Sequence, residues 1–151
     1  MSYAIGGDFD KVYTTTDFAL GTIMQDSDGK IYKFVQYDTG AGAVAAAVGN
    51  VAYYYTLDGY KNNQVTSDLS DSVEIGAGVL QSAPADGEYC WIQVKGGATL
   101  TPALTAGADG DPLTPTGATD GTLDVTTAVT DNICAFAGDI SDKEIICDFV
   151  L

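Results

Sequence analysis

The stretch Gly21-Thr22-Ile23-Met24-Gln25-Asp26-Ser27-Asp28-Gly29-Lys30-Ile31-Tyr32-Lys33-Phe34-Val35-Gln36-Tyr37 decides the fold class. Two runs rich in β-branched and aromatic residues flank Asp28-Gly29. That dipeptide supplies the positive φ angles a tight hairpin demands. On the return run Ile31, Lys33, Val35 and Tyr37 share one face, and Tyr32, Phe34 and Gln36 share the other, because side chains alternate along a strand. Both faces are mostly apolar, so this strand is expected to be covered on both sides.

The same pattern recurs along the chain. Ile75-Gly76-Ala77-Gly78-Val79-Leu80 leads through Pro84-Ala85-Asp86-Gly87 to Glu88-Tyr89-Cys90-Trp91-Ile92-Gln93-Val94. Ile133-Cys134-Ala135-Phe136-Ala137 leads through Ser141-Asp142-Lys143 to Glu144-Ile145-Ile146-Cys147-Asp148-Phe149-Val150-Leu151. These two units resemble one another and read as a repeated hairpin. Val51-Ala52-Tyr53-Tyr54-Tyr55-Thr56-Leu57 is a further strand. Residues 99–131 are rich in Thr, Gly, Ala and Asp and hold Pro102, Pro112 and Pro115, which fits sheet edges and exposed loops with short strands at 113–114 and 122–125. The one helix candidate is residues 41–49, limited by glycines to a turn or two, with a small-residue packing loop as the alternative. About ten short strands predict an all-β fold: a compact antiparallel β-barrel or sandwich with at most one short helix. Residues 1–17 read as an extended N-terminal arm and residues 18–151 as a single β-domain.

Composition narrows function. The chain has 151 residues, enough to bury roughly 70% of its unfolded surface. Six lysines face twenty-one acids, arginine and histidine are absent, and the net charge is −15. Nucleic acids and anionic membrane surfaces would be repelled, so neither is an expected partner. No apolar run approaches the ~20 residues of a membrane-spanning helix, and the N-terminus lacks a basic stretch followed by an apolar one. Imidazole bases, imidazole metal ligands and guanidinium clamps are excluded by inventory. An enzyme would have to work with carboxylates or tyrosine, and the three glutamates Glu74, Glu88 and Glu144 all fall by turns or strand starts.

No cofactor or metal is expected. Cys90, Cys134 and Cys147 lie too far apart for a Cys-x-x-Cys site and sit in apolar runs, so they read as reduced core residues. The acidic turns at Asp26–Gly29 and Asp109-Gly110-Asp111 lack the remaining ligands of a calcium loop. Tyr53, Tyr54, Tyr55, Tyr60, Tyr89 and Trp91 could form core, a protein interface or a sugar platform. In the tyrosine run, alternate rings point to opposite faces, one of them a candidate contact surface.

The segments Leu20-Gly21-Thr22, Asp28-Gly29-Lys30-Ile31-Tyr32-Lys33-Phe34-Val35, Gly49-Asn50-Val51-Ala52-Tyr53-Tyr54, Val65-Thr66-Ser67-Asp68-Leu69-Ser70-Asp71-Ser72, Gly87-Glu88-Tyr89-Cys90-Trp91-Ile92-Gln93-Val94-Lys95-Gly96, Ala106-Gly107-Ala108-Asp109-Gly110-Asp111-Pro112-Leu113-Thr114 and Gly121-Thr122-Leu123-Asp124-Val125 follow in order. In style and order they resemble the small decoration (cement) proteins of tailed-bacteriophage capsids, over residues 20–151. That resemblance implies a β-barrel-like body, no catalytic residues, an oligomer such as a homotrimer, the major capsid protein as partner, and a place on the virion's outer surface after assembly in host cytoplasm. The contact residues expected are Tyr3, Ile5 and Phe9 in the arm and Tyr53, Tyr55 and Tyr60 on the body. A tail-fibre or adhesin module binding host glycans through Tyr and Trp is the alternative, and a carboxylate enzyme is a more distant one.

Overall fold

In the computed structural model, residues 3–4, 7–56 and 59–151 are described; for 3, 4 and 7 this is the backbone alone. The strands are β1 (Tyr3–Ala4), β2 (Gly7–Asp8), β3 (Ile23–Gln25), β4 (Ile31–Tyr37), β5 (Val51–Tyr55), β6 (Gln64–Thr66), β7 (Ser72–Leu80), β8 (Tyr89–Thr99), β9 (Pro112–Thr114), β10 (Asp124–Val125), β11 (Ala135–Asp139) and β12 (Glu144–Asp148). Among the described residues one short helix, α1 (Gly59–Asn62), and a single 3₁₀ turn at Leu69–Asp71 complete the order.

The Asp28-Gly29 hairpin forms as expected. Gly29 has φ +81°, and Asp26 Oδ1 accepts the amides of Asp28 and Lys30, closing the turn between β3 and β4. From β4 a five-stranded barrel closes in the order β4-β8-β7-β5-β6 and back to β4. The expectation of an antiparallel barrel holds with one exception: β6 runs parallel to β4, pairing at Gln36↔Gln64 and Tyr37↔Val65. The remaining strands of the ten-stranded sheet lie outside the ring, with β3 flanking β4 and the series β12-β11-β9-β10 leaving the edge of β8. The short strands foreseen in residues 99–131 are β9 and β10, at one end of the sheet. Leu113 and Leu123 beside them are fully buried, so this stretch is less exposed than its composition implied.

Helix placement differs from the sequence reading. Residues 41–43 form a turn and 44–47 are irregular; the helix falls at 59–62 instead. Gly40 (φ +73°), Ala43 (φ +53°) and Gly49 (φ +83°) leave no run of helical dihedrals, and the segment packs as a loop tied down by the Tyr37 hydroxyl donating to the Val44 carbonyl at 2.7 Å.

Two cores result. The larger fills the barrel and the space under the outer sheet, with Val35, Tyr37, Tyr53, Tyr54, Cys90, Ile92, Val94, Leu113, Ile145 and Phe149. The smaller is aromatic and lies on the outer face of β4 and β8. There Tyr32, Phe34 and Trp91 are covered by Phe9, Tyr13 and Phe18 from the N-terminal segment. Phe9 stacks on Tyr32 at 3.9 Å, and Tyr13 exchanges two backbone hydrogen bonds with Tyr89. From Phe9 onward the residues read as the arm lie as a strap across their own barrel. Strand alternation turns Tyr32, Phe34 and Trp91 outward, and their area needs a cover that the strap supplies.

Candidate functional site

Strand β8 is eleven residues long and belongs both to the ring and to the strands that leave it. One edge pairs with β4 from Tyr89 to Lys95. Its other edge pairs with β7 only at Ile92 and Gln93, then with β12 from Lys95 to Thr99. Where β8 changes partner, β7 and β12 diverge and a cleft opens between barrel and outer sheet. Its lining is Tyr60, Ile75, Gly76, Asn132, Ile133, Cys134 and Val150, around a volume of about 350 Å³. Gly76 makes the close approach possible: a Cβ there would lie 2.8 Å from the Phe149 ring and 2.9 Å from Cys134 Sγ.

Tyr60 forms one wall, brought there by α1. Its hydroxyl donates to the Leu151 carbonyl at 2.6 Å, and its ring meets Tyr54 edge-on at 5.0 Å. Beneath it lies Lys33, which is 4% exposed. The ammonium donates to the Tyr54 hydroxyl at 2.8 Å and sits 5.2 and 5.0 Å from the Tyr54 and Tyr60 ring centroids. Burial holds the Lys33 pKa below the ordinary lysine value and pushes the Tyr54 hydroxyl up, with Tyr60 adding to the latter. Two tyrosine rings therefore carry part of the solvation this cation has lost.

The cleft is lined mainly by apolar side chains. Cys134 on its floor is 5% exposed, and burial, with Cys147 nearby, raises its thiol far above the range of a reactive thiolate. Cys90 and Cys147 are raised by burial to about 12, and all three cysteines are free and buried, as core residues should be. The acidic turns spend their carboxylates on backbone amides: Asp109 Oδ1 accepts from Ile140 and Asp111 Oδ2 from Ala108. No group of three or more potential metal ligands comes together among the described residues. No helix among them is long and apolar enough to cross a membrane.

The expected contact residues separate. Ile5 lies outside the described residues, as does the side chain of Tyr3. Phe9, in the strap, is 0% exposed against the barrel and Tyr53 is 0% exposed, so neither is a surface contact. The Tyr53 hydroxyl donates to the Thr122 carbonyl, because residues 113–123 cover the outer side of β5. Tyr55 is half-buried, its pKa raised first by a hydrogen bond with Asp71 and then by the charge of Asp38. Of the four that are described, Tyr60 alone is well exposed, at 49%. Trp91 is fully buried, which removes it from any sugar platform.

The cleft residues Ile75, Ile133 and Val150 escaped the sequence reading because each belongs to an apolar run read only as a hairpin strand. Parity carried the missed signal. In β12 and beyond, Ile145, Cys147 and Phe149 point inward, whereas Val150 and Ile146 share the outward parity of Glu144 and Asp148. Comparisons with protein-family models, curated proteins and solved structures found no match to this chain.

Proposed function

We propose that this chain is a structural virion protein that binds the outer surface of a tailed-phage capsid and cements neighbouring major capsid subunits. The single observation that carries the reading is the pairing of a closed barrel with uncovered apolar side chains at its junction with the outer sheet: Tyr60, Ile133 and Val150, exposed by 49, 52 and 45%. The segment order described above supports the family. A clamp adds contacts that exist only in the closed lattice, and many weak contacts repeated over a shell act with avidity. The work needs stiffness and apolar contact area, and no histidine. An acidic exterior keeps the free protein soluble and off the packaged DNA. The chain acts as an oligomer, a homotrimer on this reading, with the major capsid protein as its partner.

The glycan-binding alternative loses its central residue with the burial of Trp91 and keeps no independent support.

The test is quantitative mass spectrometry of purified particles. A copy number near parity with the major capsid protein, or a simple fraction of it, is expected. A handful of copies per particle would move the chain to the tail, and absence would end the virion reading.

A further inference from the structure

We propose that the cleft between β7 and β12 receives one or two apolar side chains of a partner protein that carries Lys or Arg beside them. The lining sets the first requirement. Tyr60, Ile75, Ile133 and Val150 give apolar area, Asn132 adds one amide, and no carboxylate lines the cleft. An uncharged side chain seats there without leaving a charge desolvated.

Charge sets the second requirement. The chain bears −15 overall, so an approaching surface feels a strongly negative body around a cleft lined by uncharged side chains. A basic partner is favoured at this cleft over a second copy, which brings the same net charge to it. Charged residues of both signs flank the lining in sequence, Lys61 next to Tyr60, Glu74 next to Ile75 and Asp131 next to Asn132, so selection comes from the whole field rather than one ion pair.

Backbone geometry sets the third. The edge of β7 at residues 73–75, beyond its pairing with β8, has no strand partner among the described residues. A strand could add there only if the edge were regular. Glu74 has φ +55°, and the β5–β7 register shifts around it. Such a bulge interrupts the ladder and blunts the edge. The volume, about 350 Å³, lies at the small end of the roughly 300–1,000 Å³ of ligand pockets. Side-chain insertion is what remains. The identification of that partner as a capsid subunit rests on the preceding proposal; the chemistry of the cleft does not.

The experiment titrates the ¹⁵N-labelled full chain with two acetylated, amidated tetrapeptides, Lys-Leu-Phe-Lys and Glu-Leu-Phe-Glu. The lysine peptide is expected to shift the amides of Ile75, Gly76, Ile133 and Val150. At low salt it should bind about tenfold tighter than the glutamate peptide, the gap closing as salt screens the field. Ile133→Ser should weaken it at least about fivefold, the loss expected when an apolar contact of ~1 kcal/mol is removed. Since Ile133 is 52% exposed, the variant is expected to fold, and an unchanged thermal midpoint checks this. Equal affinity for both peptides, shifts confined elsewhere, or no binding of either would overturn the proposal. Concentration-dependent shifts at these amides without peptide would overturn it in favour of a second copy. Peptide binding by a chain absent from particles would sink the capsid reading alone; the converse would sink this one alone.

Discussion

Two of the apolar regions outside the barrel are treated differently by the chain. On the face of β4 and β8, Tyr32, Phe34 and Trp91 are covered by the strap, with Phe9 and Phe34 fully buried. At the junction of β7 and β12, Tyr60, Ile133 and Val150 are left uncovered. Both regions join rings and aliphatic side chains of similar chemistry. What differs is coverage by the chain itself, so the first region contributes to folding and the second remains free for contact with something else.

The largest expected effect breaks this comparison by mutation. Phe34→Ala removes a ring that touches Tyr13, Phe18, Tyr89 and Trp91, and should destabilise by about 3–5 kcal/mol. Ile133→Ala should change stability by no more than about 0.5 kcal/mol, as for surface positions. Urea unfolding of both variants measures the difference. Equal losses would mean that the cleft is as much core as the strap region, and it would cease to be a contact surface.

Why one region was legible in the sequence and the other was not follows from the same contrast. Alternation along β4, apolar on both parities, announces a strand covered on both sides; Asp28-Gly29 fixes its hairpin. The all-β class, the short strands of residues 99–131 and the buried cysteines follow from equally local signals. Coverage by distant chain does not. Nothing in Phe9 or Tyr53 says which loop will lie over it, since strap and barrel, or β5 and residues 113–123, meet only in the tertiary fold. The glycine pattern of residues 41–49 could be helix or loop locally, and the left-handed dihedrals at Gly40, Ala43 and Gly49 decided it. The cleft depends on β8 changing partner halfway along, a property of sheet topology that no single segment encodes.

Gly76 sharpens the boundary between the two behaviours. Its own strand conformation suits any residue, so the effect of a methyl group there is steric. Gly76→Ala would place Cβ 2.8 Å from the Phe149 ring and 2.9 Å from Cys134 Sγ, both buried and unable to swing away. Overpacking of this kind destabilises by about 1–3 kcal/mol. The cost should shrink in a Phe149→Leu background, where the ring is gone, and a double-mutant cycle would read the coupling. Additive effects would mean that barrel and outer sheet meet without the close contact at Gly76.

Lys33 connects the two regions and gives the smallest effect. On β4 its neighbours Tyr32 and Phe34 turn toward the strap, while Lys33 turns the other way, to Tyr54 and beneath Tyr60. Its pKa is lowered by burial, so the unfolded chain binds this proton more tightly than the folded one. The resulting penalty is fully present below the folded pKa and is relieved as pH rises through that value toward the ordinary lysine range near ~10.4. The buried thiols act in the opposite sense. Cys90 and Cys147, raised to about 12, favour the folded state less once the unfolded cysteines ionise above ~8.5. The two trends separate in a comparison of the wild type with Lys33→Met, which keeps the thiols and removes the amine. The variant also leaves the Tyr54 hydroxyl without its donor, a loss that does not titrate until tyrosine does. Between neutral pH and the lysine range, the thermal midpoint of the wild type should therefore rise relative to that of Lys33→Met. A gap constant with pH would mean that the ammonium under Tyr60 is as well solvated folded as unfolded, and the tyrosine cage would then be a full substitute for water.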